Sequence, residues 1–238
     1  MSTAIREIAR TSPKEAAELA LEHTEGMRYS NLPSTVLYEW LEQDVEAAIN
    51  WVYNGPVKDE DRYVWVQALT SRLVESDPRR AFDLAVKYDV SEDSDSMGMG
   101  MNAYGLEAEV ISRIANQNLD LAVELLPQVR EGITKTRAYT SVGNRYIDGG
   151  HSTEALELGI KLPNDDQASY YQSIAFSWVR IDPAGFVESL ELLPTEEIRS
   201  KIAASLSSQW ARDIFTDEQF DTLKQYLSDS DRQALEDQ

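Results

Sequence analysis

Residues 139–163 read YTSVGNRYIDGGHSTEALELGIKLP, and this stretch predicts two short helices joined by a glycine corner. The first helix is expected over Thr140–Ile147 and the second over Thr153–Leu162, with Gly149 and Gly150 at the turn between them. Small and aromatic residues recur along the pair at steps of three, four and five residues: Gly143, Tyr146, Gly150 and Ala155. A helix pair of this size cannot bury its apolar face alone, so further pairs must pack beside it.

The corner between two helices recurs along the chain at nearly constant intervals. Each corner carries a residue that caps a helix N-terminus well, and successive corners are 32, 33, 41, 34 and 30 residues apart. The expected N-cap residues are Ser12, Asp44, Asp77, Asn118, Ser152 and Asp182. Three of them precede a proline, at a helix position where its missing N–H costs nothing. This register predicts an all-α array of about six antiparallel helix pairs over residues 12–213.

The predicted array forms one domain over residues 1–238, with two irregular parts. The interval of 41 residues contains an insertion at residues 91–101. Residues 214–238 follow the last repeat as a capping helix and a tail, because the end of a repeat array must meet water. Thr216 is the expected N-cap residue of the capping helix, and the acidic tail from Ser228 onward is expected to fray.

The composition is strongly acidic, with 42 acidic against 22 basic residues and a formal charge of −20. Such a surface repels the phosphates of nucleic acids and of anionic membranes, so we expect neither as a partner. The absence of cysteine removes disulfides, thiolate metal sites and cysteine nucleophiles. The N-terminal residues lack the apolar core of a signal peptide, which predicts a cytoplasmic protein; a periplasmic location is the alternative if the chain is a fragment.

The glycine and aromatic series of residues 139–163, together with the regular corners, resembles the tetratricopeptide-like superfamily of α-solenoids. The resemblance implies a right-handed α-α superhelix in which the first helix of each pair lines a concave groove. Members of this superfamily mostly bind peptides or other proteins in that groove. The two lysines by which some members clamp a C-terminal carboxylate have no counterpart here, so that binding mode is not expected.

The same geometry implies a peptide-binding strip on adjacent first helices of the middle and C-terminal repeats. Five residues are expected to form it: Arg137, Asn144, Gln172, Phe176 and Arg180. Their donors and acceptors suit an extended peptide, whose backbone needs hydrogen-bond partners. Phe176 is the expected anchor, and Arg180 is expected to pair with an acid or a carbonyl of the ligand. The competing interpretation is that Phe176 packs against the next repeat.

The pattern predicts a non-enzymatic scaffold or adaptor that binds a peptide or protein segment. The alternative is a sensory or accessory ectodomain of a membrane-anchored cell-envelope protein, excised from a longer chain. An enzyme is the least favoured class, because His23 and His151 are several repeats apart and no serine lies in a nucleophile elbow. Asp148 and His151 supply only half of a metal site, so we expect no metal and no cofactor.

The insertion contains three methionines that alternate with other residues: Met97, Met99 and Met101. Three thioethers at alternate positions can bind a soft ion such as Cu(I), and a flexible methionine loop can also cover an apolar peptide. The simplest interpretation is a mobile insertion whose composition carries no role.

The tryptophans divide into two groups by their register against the corners. Trp40 and Trp178 share a position and are expected to pack between helices, and Trp51 falls on the buried side of its helix. Trp65 and Trp210 fit that register less well, so they are the tryptophans expected to be exposed.

Deleting Asp93–Met101 should shift the melting temperature little, because the entropy of closing a loop changes slowly with its length. Circular dichroism during a thermal melt measures this. A cooperative loss of helix in the deletion variant would show instead that the insertion belongs to the core.

Overall fold

The fold is all-helical in the parts of the chain that a computed structural model describes, residues 2–24, 31–88, 105–207 and 213–236. These ranges contain fifteen α-helices and no β-strand, which confirms the predicted all-α class. None of these helices combines the length and the apolar character that crossing a bilayer requires. The chain divides into two compact units, Met1–Ile114 and Ala115–Gln238.

In the first unit, the first, third and fifth helices pack on one another in chain order. Its helices are α1 (Ser2–Thr11), α2 (Pro13–Thr24), α3 (Leu32–Leu41), α4 (Val45–Asn54), α5 (Asp59–Leu73), α6 (Pro78–Lys87) and most of α7 (Leu106–Gln117). Helix α3 packs on α1 and on α5, while α2, α4 and α6 each pack beside these helices. Every contact of this kind buries one stripe of each helix.

The second unit repeats this order of packing. Its helices are α8 (Leu119–Leu125), α9 (Ile133–Asp148), α10 (Ser152–Ile160), α11 (Asn164–Ile181), α12 (Pro183–Glu188), α13 (Glu196–Leu206), α14 (Asp217–Gln225) and α15 (Asp229–Glu236). Helix α11 packs on α9 and on α13, with α10 and α12 beside it, and α13 also packs on α14 and α15. One continuous array over residues 1–238 stays a prediction.

Four of the predicted N-cap residues accept a hydrogen bond from the backbone N–H three residues further on. The oxygen-to-nitrogen distances lie between 2.9 and 3.1 Å for Asp44, Asp77, Asn118 and Asp182. Proline is the first residue of α2, α6 and α12. The Thr216 cap of α14 is also confirmed, as a capping box completed by the Gln219 side chain.

Two local predictions around the glycine corner are wrong. His151, and not Ser152, is the N-cap residue of α10, and its Nδ1 lies 3.5 Å from Glu154 Oε1. Helix α9 begins at Ile133, about two turns before Thr140. The early turns of α9 contain threonines with low helix propensity, but burial of Thr134 against neighbouring elements overrides that preference.

Tyr170 and Tyr171 of α11 tie this helix to α10. The Tyr170 hydroxyl donates to Ala155 O at 2.6 Å, and the Tyr171 hydroxyl donates to Leu156 O at 2.8 Å. Their rings meet edge to face, with centroids 5.2 Å apart. Burial raises the pKa of Tyr171 to about 12 and also raises the pKa of Tyr170. Both hydroxyls therefore stay protonated donors at any ordinary pH.

Two glycines make room for the Tyr170 side chain. A Cβ atom at Gly143 of α9 would overlap the Tyr170 hydroxyl oxygen. A Cβ at Gly159 of α10 would lie 2.6 Å from Tyr170 Cε1. Tyr170 thus occupies a slot between α9 and α10 that any larger residue at either glycine would close.

The first unit contains a cluster of three buried tryptophans. The ring centroids of Trp40 and Trp51 are 5.7 Å apart, and those of Trp51 and Trp65 are 4.8 Å apart. Trp65 is 1% exposed, so the prediction that it is exposed is wrong. Helix α5 packs on α3, α4 and α6, which buries positions on more than one of its sides. Trp210 lies outside the described residues.

The acidic tail is helical where the structure describes it, as α15, against the expectation that it frays. Ser228 precedes this helix; its Oγ accepts from Asp231 N at 3.1 Å and donates to Asp231 Oδ2 at 2.8 Å. Ser200 of α13 is buried; its Oγ accepts from Ser228 N at 2.7 Å and donates to the same carboxylate oxygen. A closed set of hydrogen bonds therefore fixes the start of α15 to α13.

Gly143→Ala should destabilise the protein by about 1–3 kcal/mol through steric overlap, reduced by about 1 kcal/mol from the higher helix propensity of alanine. In a Tyr170→Phe background the cost should be smaller, because the overlapping oxygen is gone. Urea unfolding of the four proteins in this double-mutant cycle measures the coupling energy.

Tyr171→Phe is the matched control, because it removes the same kind of hydrogen bond while the three atoms nearest to a Gly143 Cβ all belong to Tyr170. Its coupling with Gly143→Ala should be close to zero. Equal coupling energies with both tyrosines would contradict the interpretation that Gly143 makes room for Tyr170 in particular.

The hydrogen bonds of the Asp231 carboxylate lead us to expect that the stability of the protein depends on pH. Hydrogen bonds from Ser200 and then from Ser228 hold the pKa of Asp231 below its usual value. A carboxyl whose pKa is lowered by folding stabilises the protein above its unfolded pKa, and this contribution is lost as the pH falls through the folded pKa. The melting temperature of Asp231→Asn should therefore lie below that of the wild type at pH 7, and the difference should narrow below about pH 4.

Asp229→Asn is the control, since it makes the same charge change on an exposed residue in the same helical turn. Its melting temperature should follow the wild type much more closely. A difference for Asp231→Asn that is constant between pH 7 and pH 2 would rule out this carboxylate as the cause.

Candidate functional site

The five residues predicted to bind a peptide lie on two helices that pack against each other. Arg137 and Asn144 belong to α9, while Gln172, Phe176 and Arg180 belong to α11. Arg137, Gln172 and Arg180 are exposed, and the other two are half-buried. We call these five residues the α9–α11 face.

The burial pattern of α11 explains why its three members share one side. Buried residues recur along the helix at steps of three and one: Gln167, Tyr170, Tyr171, Ile174, Ala175, Trp178 and Val179. Positions 172, 176 and 180 are four residues apart, so they form a row on the side that these residues leave uncovered. On α9, Arg137 and Asn144 are seven residues apart and share a side for the same reason.

Phe176 differs from the other large apolar residues of α11 in its position. Ile174 and Trp178 on either side of it are buried, at 1% and 5% exposure, whereas Phe176 lies in the uncovered row and is only half-buried. An aromatic side chain in such a row presents apolar surface to anything that covers α11.

Gln172 connects the α9–α11 face to the next helix. Its Nε2 donates to Ser205 Oγ of α13 at 3.1 Å, and Ser205 Oγ donates to Lys201 O at 2.9 Å. Sequence reasoning missed Ser205. Ser205 lies 33 residues after Gln172, which is the usual interval between corners, so the repeat length was the signal that could have found it.

Asn144 carries a polar atom without a hydrogen bond in the described structure. Its Oδ1 is shielded from solvent, and no described residue donates to it. A buried carbonyl oxygen without a donor costs about 1–3 kcal/mol relative to a satisfied one. A ligand donor would recover this free energy only after a rotation of the Asn144 side chain that exposes Oδ1.

The described residues offer no arrangement for metal chemistry. No group of three or more histidine, aspartate or glutamate side chains among them is placed to hold a metal ion. Asp148 pairs with Arg145 at 3.1 Å, while His151 faces Glu154, so the two candidate ligands have different partners. Met97, Met99 and Met101 lie outside the described residues, and the interpretations of the insertion stay predictions.

Comparison of the chain with models of protein families, with curated proteins and with solved structures gave no match in any of the three.

Proposed function

We propose that the chain is a non-enzymatic interaction module of the tetratricopeptide-like α-solenoid class. In this proposal it binds an extended peptide segment of a partner protein across the α9–α11 face. The order of packing within each unit supports the class, because consecutive first helices of such repeats pack on one another and second helices pack beside them.

The buried Oδ1 of Asn144 is the observation that carries the binding proposal. This atom is shielded from solvent and has no donor among the described residues, so a ligand donor reaches it once the Asn144 side chain rotates toward the α9–α11 face. The backbone N–H of an extended peptide is such a donor, and it recurs along the ligand at regular spacing. Binding would then give Asn144 Oδ1 a hydrogen bond without the cost of removing water from it, because the atom is already shielded from solvent in the free protein.

Phe176 and Arg180 supply the two other elements of a recognition surface. The half-buried Phe176 ring can be covered by an apolar ligand side chain, as in the aromatic centre of many interfaces. Arg180 is exposed and forms no ion pair with any described residue, so it can pair with a ligand carboxylate or carbonyl without losing an existing partner.

The test begins with selection of binding peptides from a displayed random library on the purified chain. Affinities of the selected peptides are then measured by fluorescence anisotropy for the wild type, Phe176→Ala and Arg180→Ala. Each substitution should weaken binding by about 1–3 kcal/mol. Arg6→Ala on α1 is the matched control, because Arg6 is equally an exposed arginine but belongs to the other unit, and it should leave affinity unchanged.

Melting curves of the same variants separate recognition from packing. A role in recognition predicts a small change in melting temperature for Phe176→Ala, whereas a packing role predicts a cavity and a clear loss of stability. Peptides whose affinity is unaffected by both Phe176→Ala and Arg180→Ala would place the binding site elsewhere on the molecule.

A further inference from the structure

The C-terminal part of the second unit contains a pocket of about 600 Å³ formed by the end of α13 with α14 and α15. Apolar side chains of Phe220, Leu227 and Leu235 line it, and so do the polar side chains of Ser207, Lys224 and Arg232. None of these residues belongs to the α9–α11 face. We call this cavity the C-terminal pocket. Its volume lies in the usual range for sites that bind small molecules.

Two cations line the C-terminal pocket of a protein whose formal charge is −20. Arg232 donates from Nη2 to Lys224 O at 3.4 Å and forms no ion pair with any described residue. Lys224 Nζ lies 3.1 Å from Asp221 Oδ1 and 4.7 Å from the centroid of the Phe220 ring. The Asp221 carboxylate offsets the charge of Lys224, whereas Arg232 has no acidic partner among the described residues.

Ser207 provides an independent indication of a ligand. Its Oγ is shielded from solvent and has no hydrogen-bond partner among the described residues. The residue ends α13, where its backbone N–H bonds to Ala203 O at 2.9 Å. A buried hydroxyl is normally hydrogen-bonded, and no described residue bonds to this one. A ligand could therefore provide the missing partner. A hydroxyl donates readily to an anionic oxygen.

We propose that the C-terminal pocket binds a small free carboxylic acid with an apolar body, such as a medium-chain fatty acid. Arg232 and Lys224 hold the carboxylate, and the Ser207 hydroxyl donates a hydrogen bond to it after its side chain rotates into the pocket. Phe220, Leu227 and Leu235 cover the hydrocarbon chain. The apolar side chains give the site its selectivity, because acids with and without a hydrocarbon chain carry the same charge and are repelled alike by the rest of the surface.

Helix α15 positions both Arg232 and Leu235, and the Ser200–Ser228–Asp231 hydrogen bonds fix its first turn against α13. These hydrogen bonds therefore hold one wall of the C-terminal pocket in place, although Ser200, Ser228 and Asp231 do not line the pocket themselves. A carboxylate held by charged groups at a partly exposed site should also bind more weakly as the salt concentration rises.

The experiment is isothermal titration calorimetry of the full chain with three probes. Octanoate carries both the carboxylate and the hydrocarbon chain, octan-1-ol carries only the chain, and acetate carries only the carboxylate. Octanoate should bind saturably with one site, at least tenfold more tightly than either of the other probes. Its affinity should fall when sodium chloride is raised from low to high concentration.

Arg232→Gln should weaken octanoate binding at least tenfold, and Ser207→Ala should weaken it by a smaller factor. Arg6→Gln is the matched control, because it removes the same charge from an exposed arginine in the other unit. Melting curves confirm that each variant is folded before titration. Phe176→Ala should leave octanoate binding unchanged, so failure of this site and failure of the α9–α11 face can be told apart.

Three results would overturn the proposal. If octan-1-ol bound as tightly as octanoate, the pocket would bind the hydrocarbon chain alone and would not recognise the carboxylate. An equal loss of affinity in Arg6→Gln and Arg232→Gln would assign the effect to net charge. Binding of a leucine-terminated peptide with a free carboxyl end, in a chain that does not bind octanoate, would make the occupant a protein segment.

Discussion

The insertion of Tyr170 between α9 and α10 is the interaction on which the second unit depends. Its hydroxyl donates to Ala155 O at 2.6 Å, and its ring fills space that exists only because residues 143 and 159 are glycines. A buried tyrosine hydroxyl is tolerated only when it finds an acceptor, and the α10 carbonyl supplies one. Three helices thereby share one side chain. This contact also fixes the rotation of α11, which leaves Gln172, Phe176 and Arg180 uncovered.

The excess of acid contributes little to this packing. Most of the ion pairs between described residues join side chains three or four positions apart, such as Lys201 with Glu197 and Lys224 with Asp221. Exposed pairs of this kind contribute at most about 1 kcal/mol each. On such an acidic surface, the few cationic side chains without an acidic partner are unusual. Arg180 on the α9–α11 face and Arg232 in the C-terminal pocket both lack a described acidic partner, and each marks a site proposed above for a ligand.

The two proposed sites use different physical principles within one unit. The α9–α11 face offers a desolvated acceptor at Asn144, an aromatic ring and an arginine, a set that suits a peptide with a repeating backbone. The C-terminal pocket offers apolar side chains and two cationic ones, which suit a compact anion with a hydrocarbon body. Ser207 and Asn144 nevertheless share one feature, a polar atom that is buried before any ligand arrives. Nearly all buried polar groups in folded proteins are paired, and the described part of this chain contains a few further unpaired atoms, among them Trp51 Nε1 and Arg145 Nε.

The sequence by itself determined the elements whose causes are local. Asp44, Asp77, Asn118 and Asp182 cap helices through atoms three residues away, and proline and glycine act on their own backbone, so corners and helix starts can be read from spacing. Only the tertiary structure decided the features that join distant residues. Trp65 is buried because α5 has neighbours on several sides, and the acidic tail is helical because Ser200, 28 residues before Ser228, bonds to its first turn. Local signals determine where helices begin. Burial and long-range hydrogen bonds depend instead on which helices pack against each other, and a single sequence does not show which pairs of helices do so.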